Sequence, residues 1–252
     1  MQASSQVADD SVFESSVEPK HVRIDAGAYD DIFIIGDVHG CRSELERLIE
    51  TIDPDEDTLL VCVGDLVRKG PDSSGVLDLI REHPQLRAIR GNNEQKLIDD
   101  RADADWLSRA DRAFMESLPV AISWDHALVV HGGIDPRAPL VAHTMDDLLT
   151  MRELQIDVDA REPYWFNLHR TPPKVFFGHT VFEAPFESRW AVGLDTGCVY
   201  GGELTAYQYT TGEYLSVPAE QTYEFRPAEK FITPHQTPGS RQPATGSFEQ
   251  TT

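Results

Sequence analysis

Cysteine is scarce in this chain: 3 among 252 residues, an odd number without paired spacing, which excludes a disulfide framework and a zinc-ribbon arrangement as organisers of the fold. Cys41, Cys62 and Cys198 are expected to be reduced thiols, partly buried. Long apolar runs are missing too. None approaches the roughly 20 residues a membrane helix needs, and the polar N-terminus lacks the apolar stretch that directs secretion. The expectation is a cytoplasmic protein with no membrane partner. Lysine is rare, 5 against 17 arginines, and the formal net charge is −21. Such a balance repels nucleic-acid backbones, so no nucleic-acid partner is expected. The acidic excess is spread along the chain, as in a halophilic, salt-adapted proteome. In roughly molar salt the screening length falls to about 3 Å, so an acidic surface does not bar a polyanion from a cleft.

Hydrophobic residues make up 40% of the chain, enough for one sizeable core. Residues 1–20 lack sustained periodicity and the stretch 226–252 is rich in Pro, Thr, Gln, Gly and Ser, so both read as disordered tails around a single domain at 21–225. Within it, 31–36 and 58–64 are short continuous apolar runs, as buried strands require. Each ends in Gly-Asp. Leu45, Leu48, Ile49 and Ile52 follow the first at helical spacing, and Ser73 and Ser74 offer an N-cap for a helix after the second. A third unit runs from 86–90 into a helix near Asn93. The stretch 104–117 reads as helix, and Thr144-Met145-Asp146-Asp147 resembles a capping box. Strands are expected at 175–177, 190–194, 204–209 and 214–217, making the second half more antiparallel.

Six polar clusters close these apolar runs: Gly36-Asp37-Val38-His39-Gly40, Gly64-Asp65, Gly91-Asn92-Asn93-Glu94, His131-Gly132-Gly133, Gly178-His179-Thr180 and Asp195-Thr196-Gly197. Any one of them is ordinary turn chemistry. Their order and strand context are not, because ligands at the carboxyl ends of parallel strands fall into one crevice. Asp37, His39, Asp65, Asn92, His131 and His179 form a hard-to-borderline donor set suited to Mn²⁺, Fe or Zn.

With Gly64-Asp65-Leu66-Val67, Gly70-Pro71-Asp72-Ser73, Phe177-Gly178-His179-Thr180 and the run from Asp195 to Ala206, the chain resembles the calcineurin-like metallophosphoesterases. The likeness spans roughly 30–215 and lies in the phosphoprotein phosphatase branch, near symmetrical diadenosine tetraphosphatases and prokaryotic serine/threonine phosphatases. It implies an α/β fold, a four-layer α/β/β/α sandwich with two mixed sheets. It also implies two divalent metals, manganese foremost, with iron, zinc, cobalt or nickel as alternatives. Asp37 and His39 would bind the first, Asp65 would bridge, and Asn92, His131 and His179 would complete the second. A metal-bridging hydroxide would attack phosphorus.

Cationic clamps are the remaining need. The family's arginine before the glycine of the second motif is Lys69 here, which keeps charge and loses bidentate geometry. Arg152 is the candidate for a second clamp. Where relatives carry a general-acid histidine after the ligand asparagine, oriented by an aspartate, this chain has Asn93 and Arg68. An amide is no proton donor near neutral pH, so Asn93 points toward phosphate leaving groups, with Arg68 available to contact substrate. The expected substrates are phosphoanhydrides such as diadenosine tetraphosphate or polyphosphate. A phosphoprotein is the alternative, and a non-catalytic phosphate-binding protein the second. Glu94 and Asp195 are expected to orient ligands. Tyr164, Trp165 and Phe166 read as core packing in preference to a nucleobase platform. Tyr200 follows the last cluster without an assignable role. His21, His83, His126, His143, His169 and His235 read as surface or satisfied polar residues.

Overall fold

The computed structural model describes residues 12–155 and 163–234. In chain order its regular elements are β1 (His21–Arg23), β2 (Asp31–Ile35), α1 (Arg42–Ile52), β3 (Thr58–Cys62), α2 (Ser73–Glu82), β4 (Leu86–Ala88), α3 (Asn92–Ile98), α4 (Arg109–Ser117), β5 (Ala121–Trp124), β6 (Ala127–Val130), α5 (Met145–Thr150), β7 (Lys174–Phe177), β8 (Phe186–Glu187), β9 (Ala191–Gly193), β10 (Glu203–Gln208) and β11 (Tyr214–Pro218). Two mixed sheets result, one in the order β1-β5-β6-β7-β9-β8 and one in the order β11-β10-β2-β3-β4.

The continuous apolar runs are explained by strands buried on both faces. Along β2, Ile32 and Ile34 join Val61, Val129, Phe176 and Val192 between the sheets. Phe33 and Ile35 point the other way, into a core shared with Leu45 and Leu48 of α1 and with Val76, Leu77 and Ile80 of α2. The alternation follows from the two-residue period of a strand. On the far face of the other sheet, Leu128, Val130, Val175 and Phe177 pack with Leu148 and Leu149 of α5 and with Trp165 and Phe166. Helix, sheet, sheet and helix are the four layers expected.

The differences are local. The second half is more antiparallel, as expected, in β8–β9, β10–β11 and β10–β2, but β7 runs parallel to both β6 and β9. Residues 131–173 separate β6 from β7, long enough for the crossover that parallel pairing requires. The α2 cap is Asp72, whose side chain accepts from Gly75 N–H at 2.8 Å, and Ser73 is the first helical residue. The 104–117 helix shortens to α4, capped by Ser108, while Thr144 caps α5 as expected.

Order also extends beyond the expected 21–225 limits. Phe13 and Val17, 1% and 0% exposed, insert into the cluster around Val120 and Leu128. At the other end Ile232 N–H donates to Val181 O at 2.9 Å and Ile232 O accepts from Glu183 N–H at 3.0 Å. Two apolar residues four apart among polar ones leave too short a pattern to register as an element. No helix among the described residues is long and apolar enough to cross a membrane.

Candidate metal centre

The carboxyl ends of β2, β3, β6 and β7 lie at one end of the two packed sheets, and the polar clusters fall there. Asp37 and His39 follow β2, Asp65 follows β3, His131 follows β6, His179 follows β7, and Asn92 opens α3. Among the described residues Asp37, His39 and Asp65 form one group of convergent ligand atoms and Asp65, His131 and His179 another, each within 4.8 Å. Asp65 belongs to both. Its Oδ2 lies 3.6 Å from His39 Nε2 and its Oδ1 3.3 Å from His131 Nε2. Asn92 Oδ1 lies 3.0 Å from His131 Nε2 and 2.8 Å from His179 Nδ1.

The backbone is bent to make this possible. His39, Asp65 and His179 have φ of 49°, 49° and 64°, sparsely populated for side chains that carry a Cβ. Such conformations persist where surrounding contacts enforce them. One enforcer is Glu94, fully buried, whose carboxylate accepts from Asp65 N–H at 2.9 Å, Leu66 N–H at 2.8 Å, Val67 N–H at 3.1 Å and Gly91 N–H at 2.7 Å. Another is Gly178, where a Cβ would overlap Asp37 Oδ1. His179 N–H instead reaches both Asp37 oxygens, at 3.2 and 3.1 Å.

The donor set fits metal ions. His39 Nδ1 donates to Val67 O at 3.3 Å and His131 Nδ1 to Val63 O at 2.9 Å, which leaves each Nε2 lone pair aimed inward, the outer-shell arrangement of ligating histidines. Against them stand carboxylate and amide oxygens, acceptors facing acceptors. Burial raises the Asp37 carboxyl well above its usual range, with Asp195 and Asp65 adding repulsion. Burial also opposes the charge on Asp65, yet His131, His39 and Lys69 hold it well below that range. Burial brings His39 down to about 3 and His179 well below its normal value, favouring neutral imidazoles. His131 is raised because Asp65 more than offsets its burial, so a proton and a cation compete for the same nitrogen.

A cavity of about 390 Å³ opens over these groups, and Arg68, Lys69, Lys96, Arg152 and Arg226 all line it. Lys69 Nζ lies 2.8 Å from His39 Nε2 and donates to Tyr200 OH at 2.8 Å. Arg152 Nη2 donates to His179 O at 2.7 Å. Arg68 Nη1 donates to Asn93 Oδ1 at 2.6 Å, while Asn93 Nδ2 donates to Asp65 Oδ2 in a short contact. The sequence reading did not include Lys96 or Arg226. Lys96 stands one helical turn after Asn92, a spacing that could have revealed it; Arg226 fell in a stretch read as tail.

Residues 31–209 match the sequence pattern of the calcineurin-like phosphoesterases. The chain belongs to that family. This phosphoesterase is 31% identical to serine/threonine-protein phosphatase 1 of Salmonella typhimurium, across 75% of this chain and 96% of that protein. It is 27% identical to an asymmetrical bis(5'-nucleosyl)-tetraphosphatase of Bacillus subtilis, across 79% and 99%. A crystal structure of a candidate diadenosine tetraphosphatase superposes with a TM-score of 0.71 at 31% identity, covering 79% of this chain and 97% of that one. The phosphoesterase is accordingly a metal-dependent hydrolase of phosphorylated substrates.

Of the residues that remain, Asp195 departs from its expected duty. Asp195 accepts from Gly197 N–H at 3.1 Å and stands in the cavity wall, rather than bonding to a ligand side chain among the described residues. Trp165 and Phe166 are core, as read, and Trp165 Nε1 holds Gly132 O at 3.0 Å beside His131. His143 accepts from Asp135 N–H at 2.7 Å and His169 donates to Pro173 O at 2.8 Å, both structural. His235 lies outside the described residues.

Proposed function

We propose that this phosphoesterase favours phosphoanhydrides, dinucleoside polyphosphates or polyphosphate, over phosphoserine and phosphothreonine. Asp37, His39 and Asp65 would hold one divalent ion and Asp65, Asn92, His131 and His179 the other, manganese being the first choice. Such a pair supplies Lewis acidity and an activated water for in-line displacement at phosphorus. Lys69 and Arg152 would steady the non-bridging oxygens, with Arg68 and Asn93 on the substrate side of the same cavity.

The observation that carries the reading is the Arg68–Asn93 pair. Both ends of the Asn93 amide are committed, its oxygen to Arg68 at 2.6 Å and its nitrogen to Asp65. No proton can be delivered from there. As water adds to phosphorus, the bridging P–O bond breaks and its electron pair departs with the leaving oxygen. A serine alkoxide needs a proton at that moment, and withholding it removes about 10² to 10⁴ in rate. A phosphate leaving group needs none, and the Arg68 guanidinium offers it charge stabilisation instead.

A leaving-group series on the manganese-loaded enzyme tests this, with kcat/KM for diadenosine tetraphosphate and tripolyphosphate at least about 10² above that for phosphoserine peptides. Equal efficiencies would sink the preference. No turnover of an activated aryl phosphate would sink catalysis altogether.

A further inference from the structure

A second cavity, of about 880 Å³, adjoins the first, and Arg152, Val181 and Arg226 line both. It is built differently. Tyr164 and Phe166 stack with ring centroids 5.1 Å apart and planes 6° off parallel, and both line this larger space with Phe231. Its charged residues are Glu153 and Glu229 beside Lys230 and the two arginines, whereas in the metal cavity the carboxylates are the three aspartates Asp37, Asp65 and Asp195 facing five cations.

Phe231 is supplied by the C-terminal segment, outside the 31–209 family match. Ile232 pairs in parallel with Phe182, which holds that segment in place. Arg226 sits at the junction, its guanidinium 5.2 Å from the Tyr200 ring and 5.7 Å from the Phe231 ring. Its Nη2 donates to Lys230 O at 2.9 Å, and its buried Nε has no partner.

A purely anionic chain finds no use for Glu153 and Glu229 and gains nothing from the aromatic faces. A nucleoside has a flat base for stacking and hydroxyls for carboxylates. We propose that the larger cavity is a nucleoside subsite: the substrate is a nucleoside polyphosphate whose phosphates lie over the metal centre, with Arg226 and Arg152 holding the chain where it crosses into the aromatic cavity. The inference rests on the phosphoanhydride reading and selects the nucleoside-bearing members of that class. Tyr164 and Phe231 are then specificity determinants for the organic end of the substrate.

The test uses the full-length, manganese-loaded enzyme and the ratio of kcat/KM on diadenosine tetraphosphate to kcat/KM on inorganic tripolyphosphate. Base–aromatic stacking predicts that Tyr164→Ala and Phe231→Ala each lower that ratio about tenfold. Quenching of 1,N6-ethenoadenosine monophosphate fluorescence by the metal-free wild type, weakened by Tyr164→Ala, is the independent readout. Should Tyr164→Ala fail to fold by circular dichroism, Phe231→Ala and the wild-type quenching decide alone. An unchanged ratio in folded variants, or no quenching up to millimolar protein, overturns the subsite and leaves the anhydride preference standing. Wild-type enzyme that hydrolyses aryl phosphate but neither anhydride overturns both.

Discussion

At the scale of single residues, the feature on which the proposed preference turns is a pair. The family resemblance sets Asn93 and Arg68 where a histidine and an aspartate would stand, and Arg68 Nη1 donates to Asn93 Oδ1 at 2.6 Å, so the two residues form one interacting unit. That contact changes what a reversion should do. A histidine placed at 93 must be protonated to act as an acid, and a guanidinium at hydrogen-bond distance disfavours its charge. Asn93→His alone is therefore expected to raise phosphoserine-peptide turnover less than about tenfold, and Arg68→Asp with Asn93→His by about 10². Steady-state kinetics on the two singles and the double form a cycle. Additive effects would show that Arg68 does not control the acid.

At the scale of elements, the strands were legible because a run such as Ile32 to Ile35 is apolar on both faces, and only a strand between two layers needs that. The six polar clusters were legible for the same reason, as interruptions of those runs. The N-terminal segment was not. Phe13 meets the His21 ring edge-on at 4.8 Å, and Glu18 Oε2 accepts from the N–H groups of Val12 and Phe13 at 3.0 and 2.9 Å, contacts invisible in a polar stretch without period. Removing a buried phenyl ring costs about 3 to 5 kcal/mol. Phe13→Ala should lower the unfolding free energy by about that amount in a urea titration. A change below about 0.5 kcal/mol would return the segment to the status of a surface tail.

At the scale of the whole molecule, charge is divided by location. The chain carries −21 overall, yet five cations line the metal cavity, so a polyanion meets repulsion at a distance and attraction at the site. Surface self-repulsion weakens the compact state and is screened by salt. The melting temperature is expected to rise by several degrees between about 0.1 M and about 2 M KCl. A flat or falling profile in differential scanning calorimetry would show that the acidic surface is not a source of instability.

The sequence by itself determined the strands, the helices and the donor set, and the family resemblance implied the two-sheet sandwich: local periodicity declares a strand, and a ligand type declares its chemistry wherever it sits. Tertiary structure decided what those residues face. It joined Arg68 to Asn93 across 25 positions, set Lys69 between His39 and Tyr200, and brought Arg226 and Phe231 from the supposed tail to the wall beside Arg152. Those contacts depend on chain closure over long separations, and a pattern read a few residues at a time carries no record of them.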